Sequence, residues 1–96
     1  MAVQFTRFDA AQYLNNPEEM AAYLDACLDE DPGDGSLIRT ALNDIARARG
    51  MTQIAREAGM GRESLYKALG EQGNPEFATI MKVVRALGLK LHASAA

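Results

Sequence analysis

The fold is decided by TQIAREAGMGRESLYKAL, residues 52–69. Thr52 is a typical N-cap, so the pattern predicts a helix of about two turns over residues 53–58. The next three residues predict a tight turn, because Gly59 adopts the left-handed backbone conformation without the steric cost of a side chain. A second helix is predicted over residues 62–69. Two short helices joined by a glycine turn are typical of a helix-turn-helix unit.

Small and apolar side chains at helical spacing predict the inner face of this unit. Those side chains belong to Ile54, Ala55, Ala58, Leu65, Ala68 and Leu69. The opposite edge is polar, and in helix-turn-helix proteins the second helix lies in the major groove of DNA. The candidate DNA-binding residues are therefore Thr52, Gln53, Gly61, Arg62, Glu63, Ser64, Tyr66 and Lys67.

The residue types at this edge suit different parts of a duplex. Arg62 can donate two parallel hydrogen bonds to guanine, and Glu63 can accept from cytosine N4 or hold Arg62 in place. Tyr66 can donate to a phosphate or pack on a thymine methyl group, and Lys67 adds a salt-dependent phosphate contact. Polar residues near the helix starts, such as Gln53, are expected to contact the backbone of the duplex.

Two structural explanations compete with DNA recognition. A helix-turn-helix arrangement also occurs as plain packing between helices. Glu63 and Lys67 are four residues apart, so they are also expected to form an ordinary ion pair on the helix surface.

The rest of the chain predicts further helices. Asn16 as N-cap and Pro17 at the first position predict a helix with an apolar stripe. That stripe consists of Met20, Tyr23, Leu24, Cys27 and Leu28, and it places Cys27 in the core as a structural thiol. Ahead of it, an N-terminal arm with a short helix from Asp9 is expected to contain Phe5, Phe8, Tyr13 and Leu14.

Turn formers at residues 31–35 separate that helix from a second long one, for which Ser36 is the expected N-cap and Gly50 the stop. A last helix is predicted from Asn74 as cap and Pro75 as first residue to Gly88. Its inner face is expected to contain Phe77, Ile80, Met81, Val84 and Leu87. Leu89-Lys90-Leu91 alternates like a short strand. The sequence thus predicts an all-α fold of five to six helices with a short C-terminal strand.

Charge divides the 96-residue chain into two parts, although its length predicts one small core. Residues 1–35 hold one basic and eight acidic residues, a net charge of −7, and are interpreted as an acidic N-terminal helical extension. Residues 36–96 hold nine basic and five acidic residues, a net charge of +4, and are interpreted as the helix-turn-helix DNA-binding domain. The overall charge of −3 therefore does not exclude a local basic surface. The acidic part is also explained by solubility alone.

Several protein classes are disfavoured. No long apolar run or secretory signal is visible, so we expect a cytoplasmic protein without membrane association. One cysteine and one histidine are too few for a disulfide or a zinc site within one chain. No base, nucleophile and oxyanion donor converge, so we expect neither enzymatic activity nor a cofactor.

Two longer runs resemble a known family. They are ARARGMTQIAREAGMGRESLYKALGEQGNPEFATIMKVVRALGLKL, residues 46–91, and FDAAQYLNNPEEMAAYLDACL, residues 8–28. Both resemble the "probable addiction module antidote protein" family, a lambda-repressor-like group of helix-turn-helix antitoxins. The resemblance implies a neighbouring gene for a small, basic RelE-like toxin, direct neutralisation of that toxin, and repression of the shared promoter. Gly61 departs from the family pattern, in which many members have a serine cap that contacts phosphate.

The leading hypothesis is an antitoxin of a type II toxin-antitoxin module that represses its own operon. Residues 51–69 would bind operator DNA as a homodimer over two half-sites. Exposed acidic residues such as Asp25, Asp29 and Glu30 would complement the toxin. Two alternatives are a stand-alone helix-turn-helix regulator without a toxin and a protein-interaction module that has lost DNA binding.

Overall fold

Five α-helices and one 3-10 helix build the part of the chain that the computed structural model describes, residues 9–96. In chain order they are the 3-10 helix Ala10–Tyr13, α1 (Pro17–Glu30), α2 (Ser36–Arg49), α3 (Met51–Glu57), α4 (Arg62–Leu69) and α5 (Phe77–Ala86). The predicted all-α fold is confirmed. Phe5 and Phe8 of the expected N-terminal arm lie outside the described residues. None of the helices in residues 9–96 is both long and apolar enough to cross a bilayer.

Helix α1 begins as its sequence predicts. The Asn16 side-chain oxygen accepts a hydrogen bond from the backbone amide of Glu19 at 2.8 Å, and Pro17 occupies the first turn, where no amide hydrogen is needed. In return, the Glu19 carboxylate accepts from the backbone amide of Asn15 at 2.8 Å. The short 3-10 helix also begins where expected, because the Asp9 carboxylate accepts from the Ala11 amide at 3.2 Å.

Helix α2 is capped by Asp31, so the prediction of Ser36 as N-cap is wrong. The Asp31 carboxylate accepts from the α2 amides of Leu37 and Ile38 at 2.8 and 3.4 Å, and from the Gly33 and Gly35 amides of the preceding turn at 2.9 and 2.8 Å. A charged acceptor that reaches several free amides at the positive end of a helix stabilises that end more than one hydroxyl does. Ser36 is therefore the first helical residue, after Gly35.

Helix α3 begins two residues earlier than predicted, and Thr52 is not its cap. Gly50, at φ +107°, ends α2 and leads directly into α3, and its carbonyl accepts the first helical bond from the Ile54 amide at 3.1 Å. Met51 is 5% exposed, so the helix gains an additional buried apolar side chain at its start. Thr52 lies on the exposed side of the first turn.

Helix α5 begins at Phe77 rather than at Pro75, with Glu76 as its N-cap and no side-chain cap from Asn74. The prediction that Phe77 faces the core is also wrong, because its side chain is 74% exposed. Phe77 shares its stripe with Ile80 and Val84, but as the first residue of the helix it lies beyond the edge of the core. Gly88, at φ +75°, follows the end of α5, as predicted.

The largest fully buried side chains come from α2 to α5 and the residue after α5. They belong to Leu42, Ile45, Ile54, Leu65, Leu69, Val83 and Leu87. Met20 and Leu24 of α1 join the same cluster. Cys27 lies at the edge of this core, where burial raises the pKa of its thiol, and Leu28, predicted to face inward, is 37% exposed.

The predicted strand at Leu89-Lys90-Leu91 is not formed, and residues 9–96 contain no strand. A single strand without a partner leaves its backbone groups unpaired, so three alternating residues do not form one alone. Leu89 instead packs against the core. Its backbone amide donates to the Val84 carbonyl at 3.2 Å and closes the C-terminal end of α5.

Asp44 is the buried charged residue of the described chain and joins three elements. Its carboxylate accepts from the Tyr23 hydroxyl of α1 at 2.6 Å and from the Arg47 guanidinium of α2 at 3.0 Å. Arg47 also donates to the Asp9 carboxylate at 2.6 Å, ahead of the 3-10 helix. This Asp44 network fixes the N-terminal elements against α2.

Replacement of Tyr23 by phenylalanine should destabilise the protein. The variant keeps the ring but leaves one oxygen of a buried carboxylate without its donor, which costs about 1–3 kcal/mol. Urea unfolding followed by circular dichroism measures the loss. Tyr66→Phe is the matched control, since the Tyr66 hydroxyl is on the surface, and it should change stability by less than about 0.5 kcal/mol. Equal stability of Tyr23→Phe and the wild type would contradict the role of the Asp44 network.

Candidate nucleic-acid interface

Helices α3 and α4 are joined by the tight turn that the sequence predicts. Gly59 has φ +72°, in the left-handed region that favours glycine. The Met60 amide donates to the Ala55 carbonyl at 2.8 Å across the turn, and the Leu65 amide donates to the Gly61 carbonyl at 3.0 Å as α4 begins. Ala55 and Leu65 are 2% and 0% exposed, so both lie on the inner face of the unit as predicted.

All eight predicted DNA-binding residues are exposed, but the structure brings only half of them together. A concavity of about 560 Å³ lies where α3 and α4 begin. Thr52, Gln53, Arg62 and Tyr66 line it. The other four, Gly61, Glu63, Ser64 and Lys67, lie on the exposed surface of α4 and just before it.

Arg62 and Tyr66 form a pair on the outer face of α4. The guanidinium carbon lies 5.1 Å from the centre of the Tyr66 ring, a cation–π distance, and the guanidinium donates to the Tyr66 hydroxyl at 3.3 Å. This pairing restricts the Arg62 side chain without burying its charge. Within residues 9–96, Glu63 forms no salt bridge with Arg62 or Lys67. The expected Glu63–Lys67 ion pair is therefore not formed.

Two further arginines that are not among the predicted site residues line the same concavity. Arg56 lies one helical turn after Thr52, so helical spacing alone was a signal for it. Arg47 comes from the last turn of α2 and reaches the concavity only through the packing of α2 beside α3. No sequence pattern within the helix-turn-helix segment indicated Arg47.

The electrostatics of this concavity favour an anion. Arg56 and Arg62 line it without an ion pair in residues 9–96, and no acidic residue of that range lines it. Arg47 lines it too, but its guanidinium is paired with the Asp9 and Asp44 carboxylates. Guanidinium groups match the oxygens of phosphate with paired hydrogen bonds, and a cluster of them raises the local concentration of polyanions. The side-chain amide of Gln53 already makes one hydrogen bond, because it donates to the Glu57 carboxylate at 3.1 Å. We refer to this surface as the arginine concavity.

Comparison with known sequences identifies the family of this chain. A family model described as "Probable addiction module antidote protein" matches residues 4–95. The chain belongs to this family. The antidote match confirms the resemblance seen in the sequence and supports an antitoxin role. A Haemophilus influenzae protein described as uncharacterized is 54% identical over 90 residues, which cover 94% of this chain and 91% of that protein. No solved structure matches this antidote-family chain.

Gly61 of this antidote-family chain should tolerate serine. Its backbone angles, φ −71° and ψ 150°, suit an N-cap serine, and an added Cβ would lie 3.8 Å from the Ser64 hydroxyl oxygen. Gly61→Ser should stabilise the protein by a few tenths of a kcal/mol and raise its melting temperature by about 1–2 °C. Gly61→Ala, which adds the Cβ without the hydroxyl, should lower it. A serine variant that melts below the wild type would contradict this interpretation of the helix start.

Asp9→Asn should weaken the fold in a pH-dependent manner. The hydrogen bond from Arg47 holds the pKa of the Asp9 carboxyl below its ordinary value. The charged form therefore stabilises the fold above about pH 4, and this contribution is lost as the pH falls through the lowered pKa. Urea unfolding should show a less stable variant at pH 7 and a shrinking difference from the wild type below about pH 4. Asp29→Asn, at an exposed position of α1 without an ion pair in residues 9–96, is the control.

Proposed function

We propose that this chain is the antitoxin of a type II toxin-antitoxin module. It binds a small, basic RelE-like toxin, and as a homodimer it represses its own operon by binding operator DNA. Membership of the antidote family supports the antitoxin role. The arginine concavity at the start of α3 and α4 is the observation that carries the DNA-binding half of the proposal.

The core side of α4 determines what its outer side can contact. Leu65 and Leu69 are 0% and 2% exposed, so α4 is fixed with one side in the core. Arg62 and Tyr66 then point outward at its first turns, where a recognition helix contacts base edges. Arg62 donates to guanine O6 and N7, and the neighbouring Glu63 accepts from cytosine N4.

The duplex backbone is bound by the residues around this pair. Lys67, Ser64 and Gln53 donate to phosphate oxygens on either side of the groove. Thr52 lies at the start of α3, which crosses the backbone as the first helix of such units does. Arg56, which forms no ion pair within the described residues, adds positive charge to the same surface, so binding should weaken as salt displaces these contacts.

A homodimer follows from the size of the recognition element. Helix α4 has eight residues and, at 1.5 Å per residue, is only about 12 Å long. One such helix reads a few base pairs, which gives too small an interface for tight specific binding. Two copies place two α4 helices in successive major grooves, about 34 Å apart, over a palindromic operator.

The toxin half of the proposal is supported by the family and by charge. Asp25, Asp29 and Glu30 are exposed on α1. RNA-cleaving toxins of the RelE-like kind bind a polyanion and are expected to be basic, so an acidic helix complements them. The arginine concavity is lined by α2, α3 and α4 and includes no residue of α1, so the acidic residues need not be near the duplex.

Arg62→Ala and Lys67→Ala should weaken DNA binding in different ways. The arginine variant should lose roughly 1–3 kcal/mol of discrimination at one base position. The lysine variant should bind all sequences more weakly and reduce the salt slope by about one. Fluorescence anisotropy with the chain's own upstream region and a scrambled duplex, between 50 and 200 mM salt, measures both. Lys90→Ala, the same charge change away from α3 and α4, should have no effect.

The outcomes separate the proposal from its alternatives. If both variants bind both duplexes as the wild type does, the assignment of α4 to the groove is wrong. If the wild type binds no duplex at low salt, the chain is a protein-interaction module. Co-expression with the product of the neighbouring gene, followed by pull-down and a growth test, examines the toxin half. Operator binding without any toxin partner would identify a stand-alone regulator.

A further inference from the structure

A second cavity, of about 350 Å³, lies between α1, α2 and α5. Its lining is mainly apolar and includes Leu28 of α1, Ile38 of α2, Phe77 and Ile80 of α5, and Leu91 of the C-terminal segment. We refer to it as the apolar groove. None of its lining residues lines the arginine concavity, so the two surfaces are separate.

The apolar groove collects the exposed aliphatic and phenyl side chains of residues 9–96. Leu28, Phe77 and Leu91 are 37%, 74% and 38% exposed, and all three line it. The other two large exposed side chains, Tyr13 and Tyr66, each have a polar hydroxyl. Single exposed apolar residues are ordinary, but three around one cavity mark a site of interaction with another molecule.

An acidic ridge runs along one side of the apolar groove. Leu28 and Leu91 also line an adjoining cavity of about 310 Å³ that includes Asp25. Helical spacing places Glu18 and Asp29 on the same face of α1 as Asp25. All three are exposed and form no salt bridge within residues 9–96.

Carboxylates outnumber basic side chains around the groove. Asp34 lines the groove after α1 and adds a fourth carboxylate. Within the described chain, two basic residues oppose these four carboxylates: Arg39, which lines the groove and donates to the Glu71 carbonyl at 3.1 Å, and Lys90, which lines the adjoining cavity. Apolar anchor sites flanked by an excess of carboxylates suit a basic polypeptide.

We infer that the apolar groove is where the toxin docks, which rests on the proposed function. A segment of the toxin inserts an apolar side chain between Leu28, Ile80 and Phe77. Lysine or arginine residues beside that anchor pair with the acidic ridge of Glu18, Asp25 and Asp29. A central apolar anchor with a charged rim is the arrangement that gives protein interfaces both affinity and partner choice.

Charge argues against the other occupants of this groove. In a twofold-symmetric dimer the same patch meets itself, so a second copy would bring its own acidic ridge against this one. Like charges in contact oppose such an interface. A nucleic acid is disfavoured for the same reason. The groove and the arginine concavity share no lining residue, so this docking site does not use the residues proposed to contact DNA.

The inference is tested with Phe77→Trp in the full chain. The natural sequence has no tryptophan, so this substitution introduces a single fluorophore at a position that is 74% exposed. The probe is the purified toxin from the neighbouring gene, and the difference against wild-type chain plus toxin removes the toxin's own emission. Toxin binding should shift the emission to shorter wavelength and reduce quenching by acrylamide. Tyr66→Trp is the matched control and should respond to operator DNA but not to the toxin.

Affinity gives an independent readout. Phe77→Ser should weaken toxin binding at least about tenfold in calorimetry, because it removes the exposed phenyl group without touching the core. Phe77→Leu should retain most of the affinity, and both variants should bind operator DNA as the wild type does. Circular dichroism checks that their helix content is unchanged.

Each other outcome has a definite meaning. If the toxin binds the Phe77→Trp variant with wild-type affinity and no change in emission, the docking site is wrong while the proposed function stands. An emission shift that depends on the variant's own concentration, without toxin, identifies a second copy as occupant and overturns the inference. A shift caused by operator DNA also overturns it. If the wild-type chain itself does not bind the toxin, the proposed function fails and the inference fails with it.

Discussion

Burial of two leucines on one side of α4 is the constraint on which the candidate interface depends. The helix has eight residues, and isolated helices shorter than about 12–15 residues are marginal in water. Burial of Leu65 and Leu69 therefore provides most of the stability of α4, and it fixes the rotation of the helix about its own axis. That rotation exposes Arg62 and Tyr66 together. A substitution that loosened the packing of Leu65 would disrupt this exposed surface without changing any residue that forms it.

Arg47 belongs to two parts of the molecule at once. It lines the arginine concavity, and it also holds the Asp9 and Asp44 carboxylates at 2.6 and 3.0 Å. Tyr23 completes the network from α1 at 2.6 Å from Asp44. The N-terminal elements and the basic surface are thus joined through one guanidinium. A displacement of the 3-10 helix would change the number of partners that Arg47 has and so the positive charge that the concavity presents.

Local signals in the sequence predicted some helix starts and turns, whereas contacts with more distant residues set others. Asn16 and Gly59 were correctly placed because a cap and a left-handed turn depend on a few neighbouring residues. Ser36 was wrongly chosen as a cap because the Asp31 carboxylate reaches across the turn to the amides of Gly35 and Leu37, four and six residues away. The exposed face of α4 followed from helical spacing. The position of Arg47 in the concavity did not follow from helical spacing, since it depends on how α2 packs beside α3.

The uneven distribution of charge along the chain has a consequence for how the molecule moves. Residues 1–35 have a net charge of −7 and residues 36–96 of +4, so the centres of negative and positive charge do not coincide. In the field of any strong polyanion, such a molecule experiences a torque as well as an attraction. It rotates during approach until its arginines lead and its carboxylates trail, so productive orientations are selected before the surfaces touch.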